Sequence, residues 1–140
     1  MLDERRIDTR MPLQIFLNEY LDDTPQRCMT LNLGIGGLYL NRLAMAEHRR
    51  GSCSPTLDSR IGLEFELPNT SETIWATGQI CYDATDQYFH GTGVRFDRMA
   101  AMHRRLVRDY VLDYQEQLLH KLLARAKRRQ HRHSFSLAPC

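Results

Sequence analysis

Two groups of residues have the types and the spacing to bind a planar, anionic ligand. Near the N-terminus, Arg6 and Arg10 are separated by three residues, and Arg5 precedes them. Arginine presents planar donors that fit two phosphate oxygens or a guanine edge, and its plane can stack on a base. In residues 32–37 (NLGIGG), an asparagine that donates and accepts hydrogen bonds precedes glycines that let backbone approach a ligand. Together the two groups predict a nucleotide site.

Each group also has a purely structural explanation. An arginine-rich N-terminus is commonly a solvated segment, and asparagine with glycine is the usual composition of a tight turn. Neither group decides the function alone, so the elements that position them matter.

The elements nearest to these residues are predicted as strands. Residues 11–20 and 27–33 flank a turn signal at residues 22–25 (DDTP), which indicates a hairpin. A short strand at residues 38–40 follows the glycines, and residues 43–60 are predicted as a loop or irregular helix. Side chains alternate between the two faces of a strand, so residues 27–33 are predicted to place Cys28, Thr30 and Asn32 on one face. Met29, Leu31 and Leu33 then lie on the other face.

Three later segments continue the β pattern. Residues 61–67 alternate strictly between apolar positions and the glutamates, which is typical of a half-buried antiparallel strand. Residues 73–82 are predicted to place Ile74, Ala76, Gly78, Ile80 and Tyr82 on one face. Trp75 then lies on the opposite face and is expected to be partly exposed. Residues 88–96 are predicted as a further strand that runs back beside this one. Several short strands separated by turns predict a small barrel or sandwich.

From Met99 the apolar residues take helical spacing, which predicts a helix over residues 99–129 with Asp97 as its N-terminal cap. Such a helix is roughly 45 Å long, which is more than a small barrel needs. We expect its first half to cover the barrel and the rest to contact a protein partner or a second copy. Residues 130–140 are predicted to be a disordered basic tail.

Composition and charge exclude several classes of protein. The chain has 140 residues, 42% hydrophobic and 26% charged, which fits one globular domain. No apolar stretch is long enough for a membrane span, and the charged N-terminus does not resemble a signal peptide, so we expect a cytoplasmic protein. Residues 1–100 carry 10 Lys or Arg against 14 Asp or Glu, and residues 101–140 carry 9 against 3. Because the basic charge is confined mainly to the tail, we do not expect nucleic-acid binding.

The sequence offers no motif for catalysis, metal or cofactor binding. The four cysteines, Cys28, Cys53, Cys81 and Cys140, form no C-x-x-C pair, so neither a zinc site nor a disulfide framework is predicted. We find no H-E-x-x-H, no P-loop and no nucleophile elbow. We therefore predict a protein that is not an enzyme and has no cofactor.

The arginine group, followed by the asparagine–glycine group, resembles the sequence pattern of the PilZ domain family. The family pattern is R-x-x-x-R, followed 20–30 residues later by [D/N]-x-S-x-x-G. Arg6 and Arg10 match the first motif, and Asn32 and Gly37 match the ends of the second. Residues 91–96 (GTGVRF) resemble the closing strand of the family. The resemblance covers roughly residues 4–115.

The resemblance implies a mainly β fold, a six-stranded antiparallel barrel with a long C-terminal helix. The expected organisation is an arm at residues 1–10, a barrel at 11–98, a helix at 99–129 and a tail at 130–140. It also implies a bacterial receptor or adaptor in second-messenger signalling that binds cyclic di-GMP, often as an intercalated dimer, and signals when the arm becomes ordered. The ligand-binding residues that the resemblance implies are Arg5, Arg6, Arg10, Asn32, Gly34 and Gly37.

One position departs from the family pattern, because Gly34 stands where the pattern has serine. The missing hydroxyl removes one hydrogen bond, typically worth about 0.5–1.5 kcal/mol, or roughly a 2- to 13-fold change in affinity. The alternative is therefore a PilZ domain that does not bind cyclic di-GMP and acts as a protein–protein interaction module through its C-terminal helix.

Overall fold

The sequence pattern of alternating apolar residues and turns produces a sheet followed by one helix. The structure, a computed structural model, describes residues 10–42, 58–85 and 90–136. Within these ranges the strands are β1 (Arg10–Pro12), β2 (Phe16–Leu21), β3 (Thr24–Gly34), β4 (Gly37–Asn41), β5 (Arg60–Glu66), β6 (Thr73–Thr85) and β7 (His90–Met99), and the helix is α1 (Ala101–Ser136).

The strands close into an antiparallel barrel. The hydrogen-bonded order around it is β3, β2, β5, β6, β7 and β4, and β4 returns to β3. The short β1 lies end to end with β2 along the same edge of β3, so it adds no further position to the barrel. The predicted six-stranded antiparallel barrel with a C-terminal helix is confirmed.

The predicted hairpin joins β2 to β3. Leu21 pairs with Thr24, and the two residues between them, Asp22 and Asp23, have φ values of 52° and 66°. Positive φ at both central residues is the geometry that matches the twist of paired strands, and aspartate tolerates it.

The barrel interior is filled by one face of each long strand. In β5 the predicted inward residues Ile61, Leu63 and Phe65 are all buried, whereas Glu66 is exposed. Leu38, Ile74, Ile80 and Val94 extend this core around the barrel. Burying one such side chain contributes about 1.5–3 kcal/mol, so the core is the main stabilising term.

The helix α1 covers the barrel with its first turns only. Val107 and Val111 are buried, and α1 packs against β1 and β3. Its 36 residues correspond to about 54 Å, so most of it extends away from the barrel. Within the described ranges, no helix is both long and apolar enough to cross a membrane.

Both ends of α1 differ from the prediction. The helix runs from Ala101 to Ser136, past the expected end at residue 129 and into the predicted disordered tail. Asp97 is not its cap but lies in β7, where its carboxylate contacts the Arg60 guanidinium at 3.4 Å. The reason is that β7 stays paired with β6 as far as Met99, so the helix begins only when the chain leaves the sheet.

An ion pair lies inside the barrel. The guanidinium of Arg42 donates to the Glu19 carboxylate, with an Nε–Oε2 distance of 2.9 Å, and both side chains are almost completely buried. Arg42 Nη1 donates to the Thr92 hydroxyl at 2.7 Å, and that hydroxyl donates to Asp83 at 2.8 Å. A buried charge is tolerated only when it is paired and hydrogen-bonded, and this network satisfies that condition.

Candidate functional site

Residues from the two sequence motifs meet at β1 and the end of β3. Arg10 pairs with Gly34 in the strand register, and its Nη1 donates to Asn32 Oδ1 at 3.1 Å. The two side chains are 22 positions apart in sequence. Arg5 and Arg6 lie outside the described residues.

A buried threonine holds β1 in place beside β3. Both β1 and β2 pair with β3, but their registers differ by one residue. The extra residue falls within residues 13–15, between the two strands. The Thr30 hydroxyl bridges it, donating to the Leu13 carbonyl at 2.7 Å and accepting from the Ile15 N–H at 3.1 Å. These bonds replace ladder bonds that the irregularity removes, so they fix the strand that carries Arg10.

The predicted orientation of Asn32 is wrong. Thr30 pairs with Leu40 but Asn32 pairs with Tyr39, so Leu31 is an extra, bulged residue in β3. After this bulge Leu33 points into the core and Asn32 lies on the outer surface with Tyr39. A β-bulge re-aims the residues that follow it, and here it brings Asn32 to the side of Arg10.

The glycines allow a tight connection at the same place. Gly34 ends β3 and Gly37 begins β4, so only two residues join the strands. A Cβ atom on Gly37 would lie 2.2 Å from the Val94 carbonyl oxygen, so any side chain would push β4 away from β7. We call the surface formed by Arg10, Asn32, Gly34 and Gly37 the motif face.

Sequence analysis missed a tyrosine pair that adjoins the motif face. Tyr82 is expected on the same face as Ile80, but Ile80 pairs with Val94 and Tyr82 pairs with Gly93, so Cys81 is an extra, bulged residue in β6. Tyr82 is therefore 54% exposed, and its ring lies 6.2 Å from the ring of Tyr39. The prediction is wrong because no single-residue pattern signals where a bulge will fall.

The electrostatics of this surface suit a planar anion. Burial, together with the neighbouring Tyr82 and Asp83, raises the pKa of Tyr39, so its phenol is neutral and can donate a hydrogen bond. Arg10 contributes a permanent positive charge, and one of its N–H groups donates to Asn32. The surface thus combines a cation, an amide and aromatic faces.

A second aromatic pair lies elsewhere on the barrel. The rings of Tyr20 and Trp75 are 5.8 Å apart, and Trp75 is 51% exposed, as its strand position predicted. The Tyr20 hydroxyl donates to Glu64 Oε2 at 2.6 Å, and this hydrogen bond raises the pKa of Tyr20. This pair is formed by β2 and β6, and no motif residue lies on those strands.

Comparisons with solved structures show the same fold. The chain is similar to the Bacillus subtilis inhibitor of motility MotI (DgrA), with a TM-score of 0.65 and 14% identity over 79% of this chain and 51% of that chain. It is similar to the PilZ domain of YcgR from Escherichia coli, solved with c-di-GMP, with a TM-score of 0.59 and 13% identity over 84% of this chain and 97% of that one.

A further similar structure is that of YcgR from Escherichia coli in complex with c-di-GMP, with a TM-score of 0.60 and 14% identity over 84% of this chain and 49% of that chain. The chain therefore spans about half the length of MotI and of this YcgR chain. A comparison with curated proteins finds no match. The family model of the PilZ domain matches residues 4–113. Because this match spans most of the sequence, the chain belongs to the PilZ domain family.

Proposed function

We propose that this protein is a receptor for cyclic di-GMP that binds its ligand on the motif face and signals without catalysis. The observation that carries the proposal is the hydrogen bond between Arg10 and Asn32, because it joins two motifs that are far apart in sequence. The PilZ domain of YcgR, which has the same fold, is solved with this ligand.

The proposed contacts follow from the chemistry of the motif face. Arg10, with Arg5 and Arg6 from the arm, donates to phosphate oxygens and to the O6 and N7 atoms of guanine. Asn32 donates to and accepts from a base edge. Gly34 and Gly37 permit the tight β3–β4 turn, and the base is proposed to lie beside that turn.

The proposed signal passes through β1. This strand contacts both β3 and α1, and Met11 from β1 is buried in the core beside the helix. When the arm of residues 1–10 wraps the ligand, the free energy of binding favours one position of β1 and hence one packing of α1. A ligand shifts such an equilibrium only through its different affinity for the two states.

The proposal is tested by isothermal titration with cyclic di-GMP, with cyclic di-AMP and GTP as controls. We expect saturable binding of cyclic di-GMP only, and Arg10→Ala should weaken it roughly 10- to 150-fold because a charged hydrogen-bond donor is lost. Arg60→Ala is the matched control, since Arg60 is exposed on β5, away from the motif face. No saturable binding by the wild-type protein, or equal loss in both variants, would refute the proposal.

A second candidate function is protein–protein interaction through the distal part of α1. Beyond the residues that pack on the barrel, the helix carries four leucines that are 43–56% exposed, namely Leu118, Leu119, Leu122 and Leu123. They lie on neighbouring helical positions and form an apolar surface without a neighbour in the described part of the chain. Such a surface is typical of an interaction site.

This candidate is tested by the oligomeric state without ligand, measured by sedimentation at several protein concentrations. Self-association that Leu119→Lys together with Leu123→Lys abolishes would support it. Met102→Lys is the control, because Met102 is equally exposed but lies at the start of the helix. A monomer at all concentrations would exclude self-association and direct the search to another protein.

A further inference from the structure

The Tyr39–Tyr82 pair lies in the same row of the barrel as Asn32. Asn32 pairs with Tyr39, Tyr39 pairs with Gly93, and Gly93 pairs with Tyr82. Side chains that are directly opposite in an antiparallel sheet point to the same face. The tyrosine pair is therefore a continuation of the motif face across β4, β7 and β6.

Three features of the fold hold the two tyrosine rings together. The bulge at Cys81 turns Tyr82 outward. Gly93 leaves the space between the rings open, since a Cβ atom there would lie 3.1 Å from the Cβ atom of Tyr82. The third feature is Asp83, which accepts a hydrogen bond from Thr92 and so fixes the strand segment immediately after the bulge.

The position of the pair determines which ligand can use it. Neighbouring strands are about 4.8 Å apart, so β6 lies roughly 14 Å around the barrel from β3. A ligand needs two separated bases to contact Asn32 and Tyr82 at once. An exposed tyrosine ring offers a flat face on which a purine can stack, and stacking tolerates different orientations of the base.

We propose that Tyr39 and Tyr82 form a purine-stacking subsite, in which the second base of a dinucleotide lies on Tyr82 while the first contacts Arg10 and Asn32. The inference rests on the proposed function and extends it to residues outside both motifs. Tyr82 supplies the stacking face, and Tyr39 supports its ring and borders the first base.

The test compares the Tyr39–Tyr82 pair with the Tyr20–Trp75 pair by titration with cyclic di-GMP. Tyr82→Leu should weaken binding about 5- to 150-fold, which is the usual effect of losing one stacked base, and Tyr82→Phe should retain nearly full affinity. Trp75→Leu is the matched control, because the Tyr20–Trp75 pair has similar ring geometry but involves β2 instead of β4, and Trp75 lies seven residues before Tyr82 on β6. Thermal unfolding of each variant checks that the fold is retained.

A spectroscopic readout separates stacking from a general effect on the barrel. In the proton spectrum of bound cyclic di-GMP, the guanine H8 resonance should move upfield in the wild type and in Tyr82→Phe but not in Tyr82→Leu. If the wild type binds and Tyr82→Leu binds equally well, or if Trp75→Leu causes the same loss, the stacking subsite is refuted while the receptor proposal stands. If the wild type does not bind, both proposals fail.

Discussion

Gly34 is the residue at which the chain departs from the family pattern, and its effect can be measured directly. Restoring the hydroxyl with Gly34→Ser should tighten cyclic di-GMP binding by about 2- to 13-fold, because one hydrogen bond to the ligand is regained. Gly34→Ala is the control, since it adds a Cβ atom without the hydroxyl. Isothermal titration that gives the same affinity for the serine and alanine variants would show that the hydroxyl is not the missing contact.

At the residue scale, the sequence indicated the candidate side chains but not the direction in which they point. Arg10 and Asn32 were predicted from their types and order, and the structure brings them together. The outward orientation of Asn32 and Tyr82 depends on one extra residue in each strand, Leu31 and Cys81. Alternation assumes a regular ladder, so it assigns the wrong face to residues beyond a bulge.

The irregular junction between β1 and β2 depends on the hydroxyl of Thr30. Thr30→Val keeps the shape of the side chain but removes bonds to Leu13 and Ile15, whose backbone groups then lack a partner. We expect the free energy of unfolding to fall by about 1–3 kcal/mol, measured by urea denaturation. Thr77→Val, at an exposed position of β6, is the control and should change it by much less. Equal effects would contradict a specific role for Thr30.

At the element scale, strands with one buried face were predictable and boundaries set by tertiary contacts were not. The strict alternation of β5 gave its buried face correctly. The start of α1 was misplaced because β7 remains paired as far as Met99. The helix extends to Ser136 although nothing in the described chain packs on its distal leucines, and helical periodicity alone did not indicate that length.

For the whole molecule, the raised pKa values of three tyrosines predict that stability falls at alkaline pH. The Glu64 hydrogen bond raises the pKa of Tyr20 above its ordinary value of 10.0, and burial raises the pKa of Tyr39 and Tyr110. The folded state therefore holds protons that the unfolded state releases, so this stabilisation is complete below pH 10 and is lost as the pH rises through the folded values. Urea denaturation from about pH 8 to about pH 11 should show that the free energy of unfolding decreases as the pH rises.

The matched variant for this measurement replaces all three tyrosines by phenylalanine. Removing the hydroxyls removes the protons that link folding to pH, so the decrease in unfolding free energy should become shallower. An unchanged slope would show that other groups cause the alkaline loss of stability.

The ion pair between Glu19 and Arg42 has a consequence for the rate at which the barrel opens. It joins β2 to the residue that follows β4 and adds a bond to Thr92 on β7, so it can form only after these parts of the barrel have assembled around it. We therefore expect it to be absent from the folding transition state, and its loss should accelerate unfolding more than it slows folding. In stopped-flow experiments, Arg42→Met should unfold faster than the double variant Glu19→Leu/Arg42→Met, which leaves no buried charge unpaired. The pair would then determine how long the barrel remains closed rather than how quickly it closes.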